Sequence, residues 1–402
     1  MRAAGLTLLV LSAAALRADD APRCRNLFGT MLGKSDAEVA SKIDGAWRQL
    51  FRGDEATQRL FYPVDGGMAY VPDIASGDVR TEGLSYAMMI SVETGHRDDF
   101  DRIWKWARVH LYHDSGPARG YFAWHAQFDG KQLDTGPASD GEEWFLTSLF
   151  FASHRWGDGE GILDYGGEAQ ALLRTILHKS EEAGRGDYVD LIDPVAREVA
   201  FVPHGDASRF TDPSYHLPAF YELWAQWAQS PGDRAFLHSV AERSRQVFRL
   251  AANPATGLMP DYCTFDGRPY ARRGHEDFRY DAWRTLSNPA VDYAWNHRDP
   301  WEAEQSNRVL RFLSTPGAQG HDRFRLDGTP VGDDSHPAGL LSMAATAGQA
   351  ADASVARPFV EGLWSMEIPS GRYRYYNGLL YMLALLEDGG RFRAFMPGEA
   401  GR

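Results

Sequence analysis

Apolar side chains recur along this chain at the three- to four-residue spacing of a helix face. Ser35-Asp36-Ala37-Glu38 reads as a capping box, and Val39, Ile43, Trp47 and Leu50 follow it as one stripe. Phe100, Ile103, Ala107 and Leu111 make a second stripe. Trp144, Leu149 and Ala152 belong to a third, and Leu172, Leu173, Ile176 and Leu177 to a fourth. Carried along the chain, the pattern predicts twelve helices, over 36–51, 81–94, 98–112, 140–155, 167–178, 214–228, 233–252, 279–296, 300–314, 337–348, 354–365 and 373–388. Strand signals are confined to 121–125 and 199–202. Twelve helices without a βα alternation predict an all-α protein. A ring of six inner and six outer helices would hold the chain as one domain, with a cleft at its inner mouth. An α-solenoid is the competing architecture, but no fixed sequence period supports it.

Composition changes this picture in several places. A length of 402 residues, at about 150 per domain, suggests two or three domains. Pro, Gly and Ser are dispersed, however, and no stretch reads as a linker, which returns the count to one. The 42 basic and 55 acidic residues leave a net charge of −13, without the basic footprint that nucleic acid or an anionic membrane requires. Two cysteines, Cys24 and Cys263, exclude a disulfide scaffold and a cysteine-ligated zinc site. Arg2, the apolar run 3–16 and Arg17-Ala18 read as an export leader over residues 1–18, which predicts a periplasmic or secreted protein, with the cytoplasm as the alternative. Beyond that leader no run reaches the roughly 18 apolar residues of a membrane span. The aromatic content of 12%, with twelve Trp, exceeds what a core requires.

Four segments combine carboxylates, aromatics and glycine. In 78–86, Thr81 could cap a helix with Glu82 in its first turn, where most acids merely complement the helix dipole. In 136–144, Asp140, Glu142 and Glu143 crowd a helix start, and capping by Ser139 or Asp140 is the plain structural reading. In 212–218, Ser214 is a good N-cap, and Tyr215 and His216 would sit at the helix mouth, facing a cleft or satisfying loop carbonyls. In 279–285, Asp281 and Arg284 share a helix face, as an ordinary ion pair or as a carboxylate held ionised by its neighbour. His154, Arg155 and Asp158 read as a buried salt-linked corner. Other chemistries fail: there is no His-Glu-x-x-His, no phosphate loop, no dinucleotide fingerprint and no Gly-x-Ser-x-Gly elbow. The thirteen His lack ligand spacing, and Cys263 has no basic neighbour to activate it. Paired carboxylates with flat aromatic rings remain, the equipment of glycoside hydrolysis.

Set side by side, these segments resemble glycoside hydrolase family 8. Ala138-Ser139-Asp140-Gly141-Glu142, continuing to Trp156, looks like that family's signature, with Glu142 where Asp is usual and Phe145-Leu146 in place of a smaller pair. Residues 80–90, 101–104, 120–124, 150–161, 214–223, 256–258 and 372–383 look most like the members that release xylose from the reducing end of xylo-oligosaccharides. The similarity runs from about 26 to 397, which would be one catalytic domain. The resemblance implies an (α/α)6 barrel and an inverting mechanism without metal or cofactor. It implies Glu82 as general acid, Asp281 as general base and Asp140 as a ligand of the sugar at the cleavage point. Tyr215 would place the water and Arg284 would orient Asp281. Trp124 would be a stacking platform, Tyr373 and Tyr376 would be sugar contacts, and His336, within 334–337, would close the cleft beyond the first leaving-group sugar. Inversion would set the two carboxyl groups about 6.5–9.5 Å apart. Glu82 should carry a raised pKa, from burial or from the Asp140 charge. The expected partner is a xylo-oligosaccharide, bound by a monomer. The competing readings are an endo-acting xylanase, cellulase or chitosanase of the same family, a sugar-binding protein without chemistry, and an unrelated barrel enzyme such as an epimerase or unsaturated-glucuronyl hydrolase.

Overall fold

Helices with one apolar stripe alternate along the chain with helices that are apolar nearly all round, and this alternation decides the layers. The computed structural model describes residues 21–332 and 336–400; the predicted leader lies outside them. A short helix α1 (Leu27–Leu32) precedes twelve longer ones. These are α2 (Asp36–Arg52), α3 (Thr81–Thr94), α4 (Arg97–His110), α5 (Ser139–Trp156), α6 (Tyr165–His178), α7 (Pro218–Trp227), α8 (Pro231–Ala251), α9 (Arg284–Asn296), α10 (Pro300–Leu313), α11 (Ala338–Thr346), α12 (Ala353–Ser365) and α13 (Arg374–Asp388). In α3 every residue from Thr81 to Glu93 is buried except Glu82. By contrast α2 buries one stripe, Val39, Ile43, Ala46, Trp47, Leu50 and Phe51, and leaves its opposite face to solvent. An all-round apolar helix must be enclosed, and a one-striped helix must lie outside it.

The contacts follow that rule. Helix α3 packs on α5 and α13, α11 on α13 and α9, and α9 on α7. The ring closes between α5 and α7, where Trp224 Nε1 donates to Thr147 Oγ1 at 3.0 Å and the Tyr221 hydroxyl donates to Glu143. Each inner helix carries an outer partner: α4 on α3, α6 on α5, α8 on α7, α10 on α9, α12 on α11 and α2 on α13. This is the predicted (α/α)6 barrel. One apolar core runs from Ala21 to Met396, which is why the chain is a single domain.

Three of the expected helices are each divided by a tight turn. Residues 214–228 divide into a tight turn, Pro213–Tyr215, and α7, because the residue before Pro218 is pushed out of helical geometry. Residues 279–296 divide likewise, into the turn Asp281–Trp283 and α9. Residues 337–348 end in another such turn, Ala347–Gln349. The expected strand at 121–125 is only an isolated bridge, Tyr112 to Phe122, plus a two-residue strand, His125–Ala126. That strand belongs to a four-stranded antiparallel sheet with Pro72–Asp73, Asp78–Arg80 and Gln132–Asp134. The strand expected at 199–202 lies at Glu198–Val199. Strands of two and three residues show no period of two, so the pattern could not register them. The sheet matters because Asp78–Arg80 runs directly into α3 and pairs Arg80 with His125, next to Trp124.

Candidate active site

Two glycines let the start of α3 approach the starts of α5 and α13 at the barrel mouth. A Cβ on Gly141 would lie 2.4 Å from Thr81 Oγ1, and one on Gly83 would lie 2.3 Å from the Tyr375 ring. Thr81 is therefore a buried contact rather than the cap of α3, whose N-cap is Arg80. Similarly Ala138, not Ser139 or Asp140, is the N-cap of α5. Freed from capping, Glu82 and Asp140 turn toward the ring interior, where Arg284 at the first position of α9 meets both.

Arg284 is the hub of the site. Its Nη1 donates to Asp140 Oδ2 at 3.0 Å, to Glu82 Oε2 at 3.4 Å and to the Tyr86 hydroxyl. Its Nη2 lies 3.1 Å from Asp281 Oδ1. Arg284 and Asp140 are buried, whereas the Asp281 side chain keeps 30% of its exposure and so reaches the opening. The Tyr215 and Tyr376 rings flank the guanidinium, at 5.4 and 5.9 Å. Tyr375 donates its hydroxyl to the other Glu82 oxygen at 3.0 Å. Burial pushes Glu82 up to about 8; Arg284 opposes this, while the Asp140 and Asp281 charges add to it. The expected raised acid is therefore present, with burial first and Asp140 contributing. Burial also raises Asp140, again against Arg284.

Glu82, Asp140, Asp281, Trp124, Tyr215 and Tyr262 line one cleft of 390 Å³. Trp124 is backed by His125, stacked at 3.6 Å and 7°, which holds the indole flat beside the cleft. Arg80 lies 5.7 Å from the same ring and is itself held by Asp73 and Asp78. The remaining expected residues lie on an adjoining hollow of 120 Å³, lined by Tyr280, Trp283, His336, Tyr373, Tyr375 and Tyr376. There His336 stacks on Tyr373 at 3.8 Å, and Asp322 accepts from the His336 backbone N–H at 2.6 Å. Asp334 and Ser335, also expected on that loop, fall outside the described residues.

Several expectations change. His216 does not face the cleft: it is buried between Thr211 Oγ1 and Ser244 Oγ, and burial lowers its pKa to about 3. Ser214 does not cap α7; its own N–H is taken by Asp212 Oδ1. Glu142 and Glu143 are structural, but by bonds to the scaffold and not through a capped helix start: they accept from the Phe122 N–H and the Tyr221 hydroxyl. His154, Arg155 and Asp158 do not form one salt-linked corner; each binds separate backbone groups, at Phe395, at Val92 and Glu93, and at Gly166. Cys263 is buried, and burial pushes its thiol up, as expected of an inert cysteine. Sequence reasoning missed Tyr86, Tyr375, Asp212, Asp261 and Tyr262. Only Tyr86 had a local signal, its i+4 position from Glu82.

Tyr375 bears on the protonation of Glu82. A hydroxyl donated to a carboxylate favours the ionised form, so its loss raises the pKa. With Glu82 proposed as the general acid, Tyr375→Phe is expected to move the basic limb of the kcat/KM profile, which should lie near pH 8 in the parent, to higher pH. Steady-state rates from pH 5 to 10 check this, and an unmoved limb would count against it.

The Glycosyl hydrolases family 8 model matches residues 62–390. The chain belongs to that family. It is 41% identical over 374 residues to the reducing-end xylose-releasing exo-oligoxylanase of Paenibacillus barcinonensis, covering 92% of this chain and 96% of that one. A crystal structure of a reducing end xylose-releasing exo-oligoxylanase superposes with a TM-score of 0.88 at 43% identity, over 93% of this chain and 97% of the other. A family 8 xylobiose complex from Teredinibacter turnerae superposes with a TM-score of 0.89 at 43% identity, over 93% and 98%.

Proposed function

We propose that this family 8 chain is an inverting glycoside hydrolase that releases xylose from the reducing end of xylo-oligosaccharides. The observation that carries the reading is the asymmetry around Arg284. One carboxyl on this guanidinium, Glu82, is mostly withdrawn from solvent and pushed up to about 8, and another, Asp281, stands at the opening. Glu82 stays protonated below its pKa and gives its proton to the leaving oxygen. Asp281 takes the proton of a water that attacks the opposite face of the sugar, which requires a carboxyl separation of about 6.5–9.5 Å. Asp140, fixed by Arg284 Nη1, binds the sugar at the cleavage point, and Tyr215 beside it helps place the water. Trp124 stacks on the sugars that precede the cut. Tyr373, Tyr376 and His336 form the leaving-group side, where the smaller hollow suits one sugar better than a long chain. The reducing-end selectivity is supported by the names of the relatives at 41% and 43% identity.

The experiment is proton NMR of xylotriose hydrolysis, run beside xylotriose whose reducing end has been converted to the alditol. The expected result is free xylose plus xylobiose, with the new reducing end of xylobiose appearing first as the α anomer. The alditol should be cut poorly. A β anomer would overturn inversion, and equal cutting of the alditol would overturn the exo mode in favour of an endo-acting xylanase.

A further inference from the structure

The turn that presents Asp281 has no cap of its own. Asp281–Trp283 is a single tight turn whose N-cap, Tyr280, makes no side-chain cap bond. Its first backbone donors must therefore be satisfied from elsewhere. The buried Ala282 N–H is bonded by Asp261 Oδ1, at 3.1 Å, from 21 residues earlier in the chain. Asp261 is itself 1% exposed. Its second oxygen accepts from His275 Nδ1 at 2.9 Å. The His275 ring lies flat on Tyr262, at 4.2 Å and 9°, and Tyr262 is a wall of the cleft. Backbone bonds reinforce the same frame: Asp261 N–H donates to Asp277 O at 3.0 Å, and Tyr262 N–H to His275 O at 2.8 Å. One carboxylate thus ties both the near wall of the cleft and the His275 stretch to the turn that bears Asp281.

We propose that Asp261 is a positioning residue for the general base, its carboxylate holding the Asp281 turn so that Asp281 points at the attacking water. The inference rests on the reading of Asp281 as base. Arg284 anchors the Asp281 side chain from one side, and Asp261 anchors its backbone from the other. A carboxylate suits the position because its two oxygens accept from two donors at once, one on each arm. Loss of that anchor lets the turn shift, and a displacement near 1 Å at a reacting group is enough to slow the chemical step strongly. The substrate-stacking surface of Trp124 is untouched, so binding should survive.

Kinetics on xylotriose with Asp261→Ala, Asp261→Asn and His275→Gln test this, alongside unfolding midpoints and Asp281→Asn as reference. Asp261→Ala is expected to lower kcat by about 100-fold. Its KM should stay within about threefold, because uniform binding is not removed. Asp261→Asn keeps an acceptor for Ala282 and a polar partner for His275, so it should restore kcat to within about tenfold of the parent. His275→Gln, which leaves Asp261 in place, should cost less than Asp261→Ala. Three results would overturn the proposal: an unchanged kcat in Asp261→Ala, a loss carried by KM, or an Asn variant that falls as far as Ala. If Asp261→Ala does not fold, the Asn and Gln variants still decide, since an Asn variant that folds but has lost about 100-fold in kcat refutes positioning by hydrogen bonding. If Asp281→Asn itself keeps its kcat, the assignment of the base fails. If Asp281→Asn is inactive while Asp261→Ala turns over normally, only this inference fails.

Discussion

Glu82→Gln lowers kcat on xylotriose by about 10²–10⁴-fold, the range that general acid catalysis supplies. Gln occupies the same space and still accepts from Tyr375 and Arg284, but it has no proton to transfer. The loss should nearly vanish on xylobiosyl fluoride, whose leaving group departs without protonation. Asp281→Asn should lose a comparable factor on both substrates, because water must be activated whichever group leaves. The two substrates together therefore separate acid from base, and equal losses in Glu82→Gln on xylotriose and on the fluoride would sink the assignment. The pH profile adds the sign. As the proposed acid, Glu82 should be active below about pH 8 and idle above it, so the basic limb of kcat/KM is expected near that pH. On the fluoride the limb should disappear in Glu82→Gln.

Arg284→Met should be the most damaging change away from the acid and base. It would leave Asp140 buried, and Glu82 nearly so, beside Asp281 without the cation that opposes their desolvation. Removing one partner from a buried charge cluster costs about 3–5 kcal/mol, because the remaining charge is uncompensated. The pH dependence follows from linkage. In the variant the folded pKa values of Glu82 and Asp140 rise further, since the Arg284 charge is what chiefly holds each of them down. Below the carboxylates' unfolded pKa values, near 4, both states are protonated and the penalty is absent. It appears as pH rises through 4 and grows toward the raised folded values. The variant should accordingly be closer to the parent at pH 4 than at pH 7 in urea unfolding. A deficit that is flat across that range would contradict the charge-cluster account. Activity should be lost at every pH, because the same residue holds Asp281.

The site was legible in the sequence where its contacts are local. Asp281 and Arg284 share a face through their i,i+3 spacing, and their side chains meet at 3.1 Å. Glu82 and Asp140 were visible as acids at helix starts, but capping explained them equally well, and only the recognised segments favoured chemistry. What joins them spans 202 residues from Glu82 to Arg284 and 144 from Asp140 to Arg284. No spacing rule reaches so far. Tyr375 had no signal at all, being 293 residues from the carboxyl it serves, whereas Tyr86 could have been found by its i+4 position. His216 and Tyr215 are adjacent and looked equivalent; the tight turn ahead of Pro218 sends one into the core and the other into the cleft.

By itself the sequence determined twelve long helices and their two kinds, because helical periodicity is a property of neighbours three and four apart and survives without tertiary contacts. It also determined a single domain, since an apolar inner helix has no stable place outside a shared core. Only the tertiary structure decided which acids face the cleft. Glu82 and Glu142 sit in first turns with Glu143 just beyond, and all are buried or nearly so, yet Glu142 and Glu143 are bonded to the scaffold while Glu82 faces Arg284 and the cleft. A carboxyl's proton affinity depends on the water it has lost and the charges beside it, and both are supplied by chain segments far away in sequence.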